Sequence, residues 1–195
     1  MPYAGLIVGL GNPGKQYDRT RHNFGFMTID HLVGHEPGCI RLSSKSEKDF
    51  ILWEWKPSGV MDPWLLLKPL TFMNLSGRAV HKVLSYRKVD PAHILVIHDE
   101  LDLPLGRIRF KKGGGLAGHN GLRSIASMLA TRDFHRLRMG IDRPPAGRDV
   151  VSYVLGRFSP REGAVVEETL DLAYDGIGVY CREGIDQAMQ VIHGR

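Results

Sequence analysis

Ala4-Gly5-Leu6-Ile7-Val8-Gly9-Leu10-Gly11-Asn12-Pro13-Gly14 is an apolar run that breaks into glycines, and His22-Asn23 begins eight residues after Gly14. A short apolar run bounded by turn residues reads as a strand over Tyr3 to Leu10. Apolar side chains on both faces predict a central strand with parallel neighbours. The strand therefore delivers a turn, a histidine and two amides to one edge of a sheet.

Outward from this stretch, strands alternate with helices. Phe26, Ile29, Leu32 and Val33 have helical spacing after Asn23, and Gly34 is the expected stop. His35 to Lys48 reads as a polar, Gly/Pro-broken loop. Phe50–Trp55 and Trp64–Lys68 read as strands joined by a turn at Pro57-Ser58-Gly59. Leu70 to Gly77 is a loop before a helix from Arg78 to Tyr86, with Ala79, Val80, Val83 and Leu84 as its buried stripe. Ile94–Ile97 is an apolar strand followed by His98-Asp99-Glu100-Leu101-Asp102, and acids just past a strand's carboxyl end occupy the place where open α/β sheets bind ligands. An edge strand at Ile108–Phe110, a glycine loop over Gly113–Gly121 and a helix from Leu122 to Leu129 follow. In the strand His135–Ile141, Leu137, Met139 and Ile141 share one face, while Arg136 and Arg138 share the other. Past the loop Arg143–Asp149 come a short apolar element at Val150–Leu155, a long acidic-faced helix over Arg161–Cys181, and the closing segment Ile185–Ile192. The expected fold is α/β: one domain over residues 1–195, with a mixed twisted β-sheet flanked by helices on both faces, an α/β/α sandwich.

The chain has 195 residues, 43% of them hydrophobic, enough for a full core. Two cysteines, no basic-then-apolar leader and no run of about 18 apolar residues point to a reducing, cytoplasmic setting without a membrane span. A net charge of +5 makes a polyanionic partner reasonable, because Lys and Arg release counterions condensed on phosphates.

Several motifs tempt and fail. Gly9, Gly11 and Gly14 fit a dinucleotide fingerprint, but no helix starts at once and no acid-ended second strand follows. Gly9, Gly14 and Lys15 mimic a phosphate loop, yet Gln16 replaces the magnesium-holding hydroxyl and Pro13 removes an amide donor. His31, His35 and Cys39 have metal-like spacing, but Gly34, Pro37 and Gly38 break the helix that would align them, so no metal and no cofactor is expected. No serine lies in a nucleophile elbow. What is left is His22, Asp99, and four asparagines (Asn12, Asn23, Asn74, Asn120) in Gly-, Pro- or His-flanked turns, where asparagine's ordinary role is tolerance of left-handed backbone.

As a set these residues suit hydrolysis without a covalent intermediate. A neutral imidazole takes a proton from water, and a carboxylate on its other nitrogen fixes the tautomer and stabilises the imidazolium. Asparagine amides donate to a developing oxyanion. Such a site suits a labile ester more than an amide.

Gly9 to Gly14 with Tyr17 and Thr20-Arg21-His22-Asn23 resembles the opening of bacterial peptidyl-tRNA hydrolases. So do Pro69-Leu70-Thr71-Phe72-Met73-Asn74-Leu75-Ser76-Gly77, His98 to Pro104, Gly113 to Leu122, and Phe134-His135-Arg136-Leu137-Arg138. The resemblance implies cleavage of the ester between a peptide and the tRNA 3′ ribose, recycling tRNA from aborted translation. It implies His22 as the base, Asp99 as the carboxylate that keeps it basic, and Asn12 as the residue that tells N-blocked from free aminoacyl-tRNA. Tyr17, Phe72, Asn74 and Asn120, with Met73 and His119 beside them, match positions that bind the acylated 3′ CCA end. Lys111 and Arg138 match a clamp on the 5′ phosphate of the acceptor stem. A cytoplasmic monomer is expected. The rival reading is a non-catalytic tRNA- or RNA-binding protein of the same fold, which would bind tRNA in a salt-dependent way without turnover.

Overall fold

The computed structural model describes residues 3–43 and 47–194. In chain order these form β1 (Gly5–Gly9), α1 (Phe24–His35), β2 (Ile40–Arg41), β3 (Phe50–Trp55), β4 (Trp64–Pro69), α2 (Ser76–Arg87), β5 (Ile94–Glu100), β6 (Ile108–Lys112), α3 (Asn120–Leu129), β7 (His135–Gly140), α4 (Val150–Val154), α5 (Gly163–Glu183) and α6 (Ile185–His193). The sheet runs β2-β3-β4-β1-β5-β7-β6. β1 pairs in parallel with both β4 and β5, and β5 in parallel with β7, whereas β2/β3, β3/β4 and β6/β7 are antiparallel. The expected mixed sheet with an apolar central β1 is what forms.

Because strand side chains alternate, the central strands feed two cores. Ile7, Leu66, Leu95, Ile97, Leu137 and Met139 pack with Ile29 and Leu32 of α1 and with Val166, Leu170 and Ile177 of α5. Leu6, Val8, Leu65, Leu67, Ile94 and Val96 pack with Val80 and Val83 of α2 and with Leu122 and Ile125 of α3. Helices on both faces complete the sandwich. β6 is an edge strand, as expected, and its outer side is covered by α6: the Phe110 N–H donates to His193 Nε2 at 3.0 Å. Such cover removes a site of edge-to-edge association.

The glycines of the opening turn serve packing. A Cβ on Gly9 would stand 2.3 Å from the Gly25 carbonyl oxygen, and one on Gly25 would meet the Ile97 carbonyl oxygen at 2.4 Å. The bare backbones let the first turn of α1 press onto β1 and β5, and the Phe26 N–H donates to the Leu10 carbonyl at 3.0 Å.

Several expectations are corrected. Gly34 does not stop α1, which runs through His35, and the loop expected over His35–Lys48 contains β2; residues 44–46 of it lie outside the described part. β5 does not end at Ile97: pairing of His98, Asp99 and Glu100 with Arg138, Met139 and Gly140 carries the ladder through the polar residues. α2 and α3 each begin two residues earlier than their apolar stripes suggest, at Ser76 and Asn120. Finally, none of the asparagines has a left-handed backbone; among the described residues the non-glycine ones with positive φ are Arg19, Lys88, Ala117, Ala130 and Asp142.

Candidate active site

The carboxyl ends of β1 and β5 bring the candidate residues together. Asp99 is held within the β5 ladder, its side chain only 3% exposed. His22 lies in the 3-10 turn Arg21–Asn23 that leads into α1. Its Nδ1 stands 2.9 and 3.1 Å from the two Asp99 carboxylate oxygens. On the other side His119 Nε2 is 3.0 Å from Asp99 Oδ1.

These contacts fix the proton positions. An ionised carboxylate only accepts, so His22 Nδ1 carries its proton and donates. His119 Nδ1 accepts from the Gly121 and Leu122 N–H groups and so caps α3, which leaves its proton on Nε2, aimed at Asp99. Asp99 thus receives two imidazole N–H groups, and His22 Nε2 keeps a lone pair with no protein partner among the described residues.

The electrostatics agree. Burial opposes ionisation of Asp99, but attraction to His22 and His119 and their hydrogen bonds outweigh it and hold the carboxyl well below its usual range. Burial likewise opposes the His22 imidazolium, and the Asp99 charge and hydrogen bond overcome it, raising the His22 pKa above 6.5. His98, wholly buried beside them, has its pKa lowered to about 3 by burial and by His119, and stays neutral.

The amides form a rigid rim. The Asn12 N–H donates to Asn23 Oδ1 at 2.8 Å, and Asn23 Nδ2 donates back to the Asn12 carbonyl at 2.9 Å. Asn12 Oδ1 accepts from the Met73 N–H at 2.8 Å. These partners orient the Asn12 amide, so the group left for a ligand is its NH2 donor. Asn12, His22, Phe72, Met73, Asn74 and Asn120 line one cleft of about 650 Å³, with Val151 and Val154 of α4 as its apolar wall. His22, Asp99, His119 and Asn120 also line an adjoining recess of about 350 Å³.

Other candidates stand apart. Tyr17, in the 3-10 turn Lys15–Tyr17, lines neither cleft. Arg138 reaches the recess only through Glu100, its Nε donating to Glu100 Oε2 at 2.8 Å. Lys111 pairs with Arg136 across β6 and β7, so its side chain shares the face that carries Arg138, opposite Leu137 and Met139.

Sequence reasoning passed over supporting residues. Arg21 tethers the His22 turn: its guanidinium donates to the Arg157 carbonyl at 2.7 Å and to Glu162 at 2.8 Å, and lies 4.5 Å from the Tyr153 ring centre. Buried Arg136 holds the glycine loop by donating to the Gly115 and Gly114 carbonyls at 2.6 and 2.7 Å. The signal for α4 was present in Asp149, whose carboxylate caps the helix by accepting from the Ser152 N–H.

The sequence profile described as peptidyl-tRNA hydrolase matches residues 6–195. The chain belongs to the peptidyl-tRNA hydrolase family. Peptidyl-tRNA hydrolases of Nitratidesulfovibrio vulgaris (strain DP4) and Synechocystis sp. are 53% and 43% identical to it; the alignments cover 99% and 97% of this chain, and 98% and 96% of theirs. A solved peptidyl-tRNA hydrolase from Acinetobacter baumannii matches with a TM-score of 0.87 at 36% identity, over 98% of this chain and 96% of that one. Peptidyl-tRNA hydrolysis is therefore the activity, and the non-catalytic reading is not favoured. Among the described residues no helix is long and apolar enough to cross a membrane. His22, Asp99 and His119 have potential ligand atoms within 4.8 Å of one another, but both rings spend an N–H on the carboxylate and their lone pairs do not converge.

Proposed function

We propose that the chain hydrolyses the ester joining a peptide to the tRNA 3′ ribose by direct attack of water, with His22 Nε2 as general base. The carrying observation is the pair of Asp99 contacts to His22 Nδ1, which set the lone pair on the ring nitrogen that faces the cleft. As water attacks the carbonyl carbon, His22 takes its proton; as the ester C–O bond breaks, the imidazolium returns a proton to the departing ribose oxygen. Asp99 stabilises the imidazolium between these events, and the Asn12 NH2 donates to the substrate carbonyl or its oxyanion.

Phe72, Met73, Asn74 and Asn120 line the cleft for the acylated CCA end, with Val151 and Val154 against the peptide. His119 supports this region through Asp99 and the start of α3, Tyr17 flanks the entry, and Lys111 and Arg138 clamp the 5′ phosphate. The protein acts in the cytoplasm as a monomer, without a cofactor.

The base is tested by His22→Ala. Release of N-acetyl-aminoacyl groups from tRNA should fall by about 10²–10⁴-fold, the usual worth of a general base, with tRNA binding retained. Turnover near that of the parent protein would overturn the assignment. Because the base works neutral, kcat/KM should rise with pH through a midpoint above 6.5 and then level off.

A further inference from the structure

A second pair of histidines lies far along α1 from His22, and the reaction makes no use of it. His31 and His35 sit four residues apart, on one helical face, because α1 continues through Gly34. Their ring centres are 4.1 Å apart. From the facing helix α5, Asp171 places Oδ1 2.9 Å from His31 Nε2. One ring nitrogen or carboxylate oxygen from each of the three lies within 4.8 Å of the others.

We infer that His31, His35 and Asp171 form a binding site for a divalent transition cation of the zinc class, bridging α1 to α5. His35 Nδ1 is 2.8 Å from the His31 carbonyl oxygen, which as an acceptor fixes the ring proton on Nδ1 and leaves the Nε2 lone pair outward. That is the outer hydrogen bond by which metal-binding imidazoles are oriented, and a plain His31–Asp171 ion pair has no use for it. Two imidazoles and one carboxylate, with water in the fourth position, suit a borderline cation such as Zn(II). Bonds of about 2.0–2.1 Å in a tetrahedron set ligand atoms roughly 3.3 Å apart, so the three groups close by an ångström or so on binding. Asp171 can make that movement, its side chain being 70% exposed. The carboxyl end of α1 adds the negative end of the helix dipole. On binding, the His31 ring proton moves from Nε2 to Nδ1, so both rings ligate as neutral imidazoles. The third ligand comes from α5 rather than from Cys39, which the sequence spacing singled out.

The test is thermal unfolding and calorimetric titration of the intact protein with ZnCl2, after treatment with a chelator. At a hundredfold excess over Kd, the midpoint should rise by about 5–10 °C and return on adding EDTA. His35→Ala and Asp171→Asn should each unfold near the parent temperature without metal and lose most of that rise. No zinc-dependent rise in the parent protein would overturn the site. So would a rise that survives in both variants, as binding at His22, Asp99 and His119 or at a cysteine would give; that outcome would be accompanied by inhibition of hydrolysis if the catalytic group were the one bound.

Discussion

Two groups of two histidines and one aspartate lie in this chain, and they differ in where the carboxylate sits. Asp99 is in the middle of the sheet with a side chain 3% exposed; Asp171 is on a helix surface with a side chain 70% exposed. Buried Asp99 is stable as an anion only because both His22 and His119 donate to it, so the ring protons point inward and one lone pair is left facing the cleft. In the surface group a backbone carbonyl takes the His35 proton, which leaves the His35 Nε2 lone pair free of the carboxylate. The same three residue types give a base in one place and a cation site in the other, and the deciding variable is which partner receives each N–H.

Removing the charge from Asp99 breaks the contrast most. Asp99→Asn should lower kcat/KM for an N-acetyl-aminoacyl-tRNA by a factor of about a hundred or more, because the ring loses the partner that fixes its tautomer. The pH midpoint should also move down, since the Asp99 attraction that raises the His22 pKa is gone. An unchanged midpoint would sink the dyad.

Acid titration probes the burial side. A histidine whose pKa is 6.5 unfolded and about 3 folded binds its proton mainly in the unfolded state between those values. His98 should therefore contribute full stability above pH 6.5 and lose it progressively as the pH falls below that value, until near pH 3. Asp99, held below its usual range, adds a further loss only as the pH falls below 3.8. Denaturant midpoints measured from pH 7 to 4.5 should fall in the parent and fall less in His98→Asn; equal slopes would contradict the buried neutral ring.

His119→Ala should lower the rate less than Asp99→Asn and reduce unfolding free energy by about 1 kcal/mol through loss of the α3 cap, readable by urea denaturation. The smallest effect belongs to the surface group: without metal, Asp171→Asn should change stability by no more than about 0.5 kcal/mol, because an exposed ion pair contributes little, and should leave hydrolysis unchanged.

Much of this was legible in the chain. The apolar run before Gly9 announces a central strand because parallel strands are buried on both faces. The resemblance named His22, Asp99 and Asn12 before any geometry was in hand. The extent of β5 was not legible, since His98, Asp99 and Glu100 look like a strand's end until β7 pairs with them. The asparagines were misread for a similar reason: the Asn23 side chain satisfies both the N–H and the carbonyl of Asn12, a contact between residues eleven apart that no local rule predicts.

Residue identity by itself determined the alternation of strand and helix, the mixed sheet and the residue types available for ester hydrolysis, because these depend on local periodicity and side-chain chemistry. Tertiary structure decided that His119 turns onto Asp99, that Asn12 offers its NH2 group, and that Asp171 rather than Cys39 joins His31 and His35. Each depends on where a hydrogen bond ends after distant segments have packed, and a buried polar group accepts whichever partner the packing brings.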